Sequence, residues 1–286
     1  MKISELFSDS KQHLSFEVFP PNKRVSADTV YAAAENIAKL NPAYISVTYG
    51  AGGSATQQAV TLDLAKHIKK QGVIPLAHLT CINSDTERID NMLRSLRAEG
   101  IENVLALRGD LVEGADVNPQ YLHATDLIKH ISEFGGFDIA AACYPEGHPD
   151  SEGVEAEIQY MKMKEDLGAT HFISQLFFDN EDFYYMADLA RRAGVKAPIQ
   201  AGVMPVVNVR QIQRMGSTCG AKLPRKFSKI MARYGSKPEA LFDAGISYAI
   251  EQIIDLLASG VQGIHVYAMN NIEVSRRIYE AVANML

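Results

Sequence analysis

The chain has 286 residues, 47% hydrophobic and 22% charged, with a formal net charge of −6. That balance supports a sizeable core and excludes a disordered chain, while the acidic surplus and the lack of a Lys/Arg cluster argue against a nucleic-acid partner. Three cysteines, Cys81, Cys143 and Cys219, lie too far apart for CxxC chemistry, and their odd number argues against a disulfide framework. The N-terminal MKISELFSDSKQ has no apolar signal core, and no run approaches the ~18 apolar residues of a membrane span. A soluble, cytoplasmic protein is expected.

β-Rich runs recur along the chain. HLSFEVFP (13–20), AYISVTYG (43–50), VIPLAHLTC (73–81) and NVLALRGD (103–110) begin 30 residues apart. FDIAAACYP (137–145), HFISQLFF (171–178), PIQAGVMPV (198–206) and GIHVYAMN (263–270) continue the series at less even spacing. Helical periodicity fills the gaps: 26–40, where Ser26 or Asp28 can cap, then 55–72, 84–100 and 118–134, with Gly72 and Gly100 as C-terminal stops. Further helices are expected at 154–168, 181–194, 226–235, 239–260 and 272–285. Strands alternating with helices imply parallel pairing through right-handed crossovers. Eight units predict a (β/α)8 TIM barrel, a single catalytic domain over residues 1–286. A doubly wound open sheet is the alternative; the count of eight and the lack of a Gly-x-Gly-x-x-Gly turn after an early strand favour the barrel.

In a barrel the active site forms at the C-terminal ends of the strands. The run LSFEVFPP puts a carboxylate, Glu17, among apolar residues, where burial unpaired would cost several kcal/mol. Polar residues cluster at the other strand ends: Thr48, His78, Arg108 and Asp110, Tyr144 and His148, Gln175, Tyr267. Gly109 permits close backbone approach to a ligand, and the two prolines and glycine of YPEGHP fix a loop presenting Tyr144 and His148. Gln175 offers a donor and an acceptor in one plane, suited to a flat amide-like heterocycle. His78 and His148 lack metal-ligand spacing, so no metal is expected. No nucleophile elbow or P-loop is present to support hydrolysis or phosphoryl transfer.

Taken in order, SFEVFPPNK, ISVTYGAGGS, AHLTCIN, LALRGD, AACYPEGHP, ISQLFFD, AGVMPV and IHVYAMN resemble the successive strand motifs of bacterial 5,10-methylenetetrahydrofolate reductases, from about residue 13 to about residue 275. The resemblance implies a flavoprotein of one-carbon metabolism. It would pass hydride from NADH or NADPH to FAD, and then to 5,10-methylenetetrahydrofolate, giving 5-methyltetrahydrofolate. Glu17 then matches the acid that protonates the folate's bridging nitrogen, with Phe16, Val18 and Phe19 as apolar surroundings and Thr48 as a link to substrate. Asp110 matches the carboxylate between flavin and pterin, and Gln175 the pterin-binding amide, with Met215 and Tyr267 as further substrate contacts. FAD contacts are implied for Thr48, His78, Arg108, Gly109, Asp110, His123, Ala124, Ala142, Tyr144, His148 and Lys164. Some positions depart from the family pattern. His123 stands where relatives often have Tyr, Met163 where many have Arg, Met215 where some have an aromatic residue, and Asn271 where an arginine is common. The chain ends near the close of the barrel, so the adenosylmethionine-binding regulatory domain of longer eukaryotic relatives is not expected, and homo-oligomerisation is left open. Two other readings share the same residues: a flavin-free folate-binding barrel of the methyltransferase or demethylase type, and a non-catalytic subunit of a larger redox complex.

Overall fold

A computed structural model describes residues 1–22, 25–49, 55–110, 120–214 and 221–286. Eight parallel strands close into a barrel in chain order: β1 (His13–Val18), β2 (Ile45–Val47), β3 (Pro75–Thr80), β4 (Asn103–Leu107), β5 (Asp138–Cys143), β6 (His171–Ser174), β7 (Ile199–Val203) and β8 (Gly263–Val266). The helices are α1 (Ala27–Ala38), α2 (Ala55–Lys70), α3 (Thr86–Ala98), α4 (Ala124–Phe134), α5 (Val154–Asp166), α6 (Asn180–Arg192), α7 (Val209–Arg214), α8 (Arg225–Tyr234), α9 (Pro238–Ala258) and α10 (Ile272–Val282). Among the described residues no helix is long and apolar enough to cross a membrane.

Strand side chains alternate between two environments. Phe16 and Val18 of β1 and Ile45 and Val47 of β2 pack with Val30, Ile37 and Ile278 in the layer between strands and helices. Each such fully buried side chain contributes roughly 1.5–3 kcal/mol by leaving water. The residues between them face the barrel interior: Ser15, Glu17 and Ser46 are all buried, yet polar. Ser26 caps α1 as expected, accepting from the backbone N–H of Thr29 at 3.3 Å.

Closure joins the two ends of the chain. β1 and β8 pair from His13↔Gly263 to Phe16↔Val266. Beyond the last paired residues the Asn270 side chain continues the seam: its Oδ1 accepts from Phe19 N–H at 2.8 Å and its Nδ2 donates to Phe19 carbonyl at 2.9 Å. An amide that meets both groups of one residue imitates a strand neighbour, and Asn270 does so from a left-handed φ of 59°, which Asn tolerates better than most residues.

The opposite end is stoppered by a 3-10 turn at Ile3–Ser8 that the periodicity does not predict. Ile3 and Phe7 pack on Tyr44, Leu76, Leu105, Ala140 and Ile173 inside the barrel. The backbone of Ile3 donates to Asn103 Oδ1 at 2.8 Å, and Ser4 N and Oγ donate to the buried Asp138 carboxylate at 2.8 and 2.7 Å. The N-terminal turn thus fills this end with apolar side chains and meets Asn103 and Asp138 with its own backbone, which leaves the other mouth for ligands.

Candidate active site

A cavity of about 420 Å³ opens at the C-terminal ends of the strands. Glu17, Thr48, His78, Arg108, Gly109 and Asp110 line it, each from the end of one of the first four strands or just beyond. Ala142, Tyr144, His148, Gln175 and Tyr267 complete the wall on the far side. The expected residues thus converge, with four exceptions. His123 and Ala124 sit at the start of α4, outside the cavity lining; the His123 backbone N–H donates to Asp126 Oδ2 at 2.9 Å and its carbonyl receives the Cys81 thiol at 3.5 Å. Lys164 turns inward behind the wall, donating to the Ala142 carbonyl at 2.8 Å and pairing with buried Glu157 at 3.4 Å. Met215 lies outside the described residues.

Glu17 is only 7% exposed and sits at the cavity floor. Its surroundings are only partly the expected apolar ones: Phe19 lines the same cavity. Phe16 and Val18 point the other way because neighbours on a strand face opposite sides. What approaches the carboxylate is two imidazoles, His78 Nε2 at 3.5 Å and His265 Nε2 at 3.8 Å from Oε2. His265 was absent from the sequence-based candidates. Its signal was available as period-two polarity in an otherwise apolar strand, His265 then Tyr267, matching Ser15 then Glu17 on the neighbour.

Burial dominates the electrostatics. It pushes the His78 imidazole down to about 4, against the pull of Glu17, so His78 is neutral near pH 7. Burial also lowers His148, helped by the Arg108 charge, and raises the phenols of Tyr144 and Tyr267. The Tyr267 hydroxyl donates to the Ser174 carbonyl at 2.6 Å. Gly202 makes this possible, since a Cβ there would stand 2.1 Å from that carbonyl and 2.7 Å from the Tyr267 oxygen.

At the rim Arg108 forks onto Asp150 Oδ2 with both terminal nitrogens at 3.2 Å, and the His148 ring accepts the Asp150 N–H at 3.0 Å. Gly109 holds a φ of 88°, and a Cβ there would stand 3.0 Å from the Thr80 Cβ, so a side chain would strain this backbone. Gln175 is oriented by its own neighbour: Oε1 accepts Leu176 N–H at 2.9 Å, which leaves its Nε2 as the end available to a ligand. Met163 is 48% exposed on α5, and Asn271 caps α10 by accepting from Val274 N–H at 3.1 Å. The site combines a buried carboxyl group, a rim carboxylate, an oriented amide and buried imidazoles, a set suited to holding a flat polar heterocycle.

A family model described as methylenetetrahydrofolate reductase matches residues 2–283. Methylenetetrahydrofolate reductase (NADH) 1 of Arabidopsis thaliana is 34% identical over 287 residues, covering 94% of this chain and 48% of that protein. The 5,10-methylenetetrahydrofolate reductase of Escherichia coli (strain K12) is 31% identical over 267 residues, covering 93% of this chain and 89% of that one. The chain therefore spans about half the length of its plant relatives and about nine-tenths of this bacterial one. Among solved structures, a Clostridium thermocellum protein that binds two copies of 5-methyl-5,6,7,8-tetrahydrofolic acid superimposes over 100% of both chains with a TM-score of 0.69 at 13% identity, which shows a shared fold. The chain belongs to the methylenetetrahydrofolate reductase family.

Proposed function

We propose that this chain reduces 5,10-methylenetetrahydrofolate to 5-methyltetrahydrofolate, with FAD as resident cofactor and NADH or NADPH as electron donor. The observation that carries the reading is that Glu17, Asp110 and Gln175, from three separate strand ends, line one cavity in a chain matched to the family along nearly its whole length. The bacterial relatives support the reaction by name, and the plant relatives' names favour NADH.

The residues present fit a flavin. A volume of about 420 Å³ falls within the range of small-molecule sites, roughly 300–1,000 Å³. The buried His78 Nε2 faces the cavity without a hydrogen bond of its own among the described residues. Thr48, Arg108, Gly109, Tyr144 and His148 would hold the cofactor, with small Ala142 leaving room beside a flat ring. His123 and Ala124 would meet it only beyond the cavity described, and Lys164 acts by bracing the Ala142 wall. When FAD is bound, the chemistry supplied here is hydride transfer, from the nicotinamide in one half-reaction and to the folate carbon in the other.

Glu17 holds a proton at its carboxyl and gives it to the bridging nitrogen of the folate, so that the five-membered ring opens and the exocyclic carbon becomes electrophilic. Asp110 accepts N–H groups of the pterin from the rim. Gln175, its oxygen already engaged, donates through Nε2 to a pterin acceptor. Tyr267, its proton committed to Ser174, presents oxygen lone pairs to the cavity.

The test separates the half-reactions. Purified protein is expected to be yellow and to release FAD on denaturation. Glu17→Gln should slow folate reduction by about 10²–10⁴-fold, the usual span for a general acid, with flavin reduction by NADH nearly unchanged. Equal losses in both half-reactions would make Glu17 structural. A colourless protein that binds folate and cannot be loaded with FAD would favour the flavin-free barrel.

A further inference from the structure

The reading above requires Glu17 to carry a proton near neutral pH, and the barrel interior sets a buried histidine of fixed orientation beside it. His265 is 1% exposed and sits on β8 in direct register with Ser15 of β1. Its Nδ1 is 2.8 Å from Ser15 Oγ, while Ser15 Oγ donates to the Ile264 carbonyl at 3.2 Å. A hydroxyl has one proton. With that proton on Ile264, the Ser15 oxygen accepts from His265, and Nδ1 is the protonated nitrogen. Tyr44 leaves this assignment intact: its hydroxyl donates to Gln200 Oε1 at 2.7 Å, and its ring stacks on the imidazole at 5.7 Å between centroids. Nε2 then carries the lone pair, receives the Ser46 hydroxyl at 3.2 Å and stands 3.8 Å from Glu17 Oε2.

An imidazole that turns its unprotonated nitrogen toward a buried carboxyl offers neither an N–H nor a positive charge to an ionised carboxylate, which favours the uncharged acid. We propose that His265 is a positioning residue: fixed by Ser15 and Ser46 as its Nδ1–H tautomer, it keeps Glu17 in the protonated form from which a folate substrate would be protonated. This rests on the function proposed above. The other titratable groups around the pair do not supply a compensating cation. His78 on β3 is neutral, with burial pushing it down to about 4, and His171 on β6, behind His265, is pushed down to about 4 for the same reason. The Tyr44 and Tyr267 phenols are raised by burial and stay uncharged. Among the described residues Glu17 has no Lys or Arg ion-pair partner.

The experiment uses the FAD-loaded protein and reads protonation directly. Nitrogen-15 NMR of labelled histidines, with His265 assigned by loss of its signals in His265→Gln, should show the Nδ1–H tautomer; an Nε2–H tautomer overturns the proposal. Carbon-13 NMR of labelled glutamate carboxyls, with Glu17 assigned through Glu17→Gln, should give a titration midpoint for Glu17 that falls by about one pH unit or more in His265→Gln, whose amide N–H can face the carboxylate. Ser15→Ala, a smaller change that removes the acceptor fixing the tautomer, should move the midpoint the same way. The pH profile of the folate half-reaction should shift in step. A Glu17 midpoint unchanged in Ser15→Ala overturns the proposal even if His265→Gln fails to fold. If the midpoint moves as stated while the protein reduces no folate, the positioning inference stands and the proposed reaction falls.

Discussion

Lowering the pH from 7.5 to 5 should destabilise this protein through two histidines buried inside the barrel. Burial pushes His78 and His171 each down to about 4 from an ordinary value of 6.5. For a base whose folded value is depressed, the unfolded chain takes up the proton first, so stability is fully present above 6.5 and is lost as pH falls toward 4. Over the interval chosen, the linkage amounts to about 2 kcal/mol for each histidine and about 4 kcal/mol for the two. Glu157 works in the opposite sense. Its burial raises it, so the folded chain binds that proton more readily and gains stability as pH falls; but Lys164, 3.4 Å away, opposes the shift. Glu17, held protonated as proposed above, would act in the same sense as Glu157, so the measurement is made in the Glu17→Gln background, where the histidines dominate above pH 5. Urea unfolding followed by far-ultraviolet circular dichroism should show the midpoint falling by roughly 1 M or more between pH 7.5 and 5, taking a slope of ~3 kcal/mol/M for a chain of this size. His171→Gln, at the end of the barrel away from the cavity, should remove about half of that pH dependence whatever it does to stability at pH 7.5. A midpoint constant across the interval, or a pH dependence untouched by His171→Gln, would refute the reasoning.

Three further outcomes follow from packing and charge. Gly202→Ala drives a methyl to 2.1 Å from the Ser174 carbonyl, which is backbone and cannot swing away; it should cost about 3 kcal/mol or more in urea unfolding, against about 1 kcal/mol for Tyr267→Phe, which removes a single hydrogen bond. Asn270→Ala deletes both bonds to the Phe19 backbone, so it should cost about 2 kcal/mol and slow folate reduction more than flavin reduction, since the end of β1 beyond Glu17 loses its tether. Met163→Arg introduces a cation at a half-exposed position of α5 where the resemblance implies one; with FAD as the proposed cofactor, its loss on dilution should slow about fivefold, and an unchanged rate would mean that this position does not touch it.

Much of the barrel was legible because parallel strands buried on both sides announce themselves as short apolar runs at regular spacing. His13, Asn103, His171 and Gly263 begin strands where the runs begin, and the other four strands start within two residues of expectation. The Ile3–Ser8 turn and α7 were not legible, because six residues are too few to display a helical period. Within the site, residues at loop turns and strand ends stood out, as Asp110 and Gln175 did. His265 did not, because a lone histidine in GIHV reads as a strand residue until the register sets it beside Ser15. Lys164 shows the converse: the family resemblance marked it as a ligand contact, but the sequence could not tell that buried Glu157 would claim its charge.

The seam between β1 and β8 also bears on the order in which the protein is made. Ser15 and His265 are separated by 250 positions along the chain, so their contact carries the largest loop-closure cost of any strand pair in the barrel. Contacts of such long range form late. Strands β2 to β7 can assemble from neighbours about 30 residues apart while Glu17 and His265 still belong to unjoined edges. On the two proposals above, a nascent or half-folded chain would therefore have much of its barrel wall but no proton donor, because Glu17 meets His265 only when the seam closes. Pulsed hydrogen exchange during refolding should find amides of β3 to β6 protected before those of His13, bonded to the Gln262 carbonyl, and the Asn270-bound Phe19, with activity appearing only in the later phase.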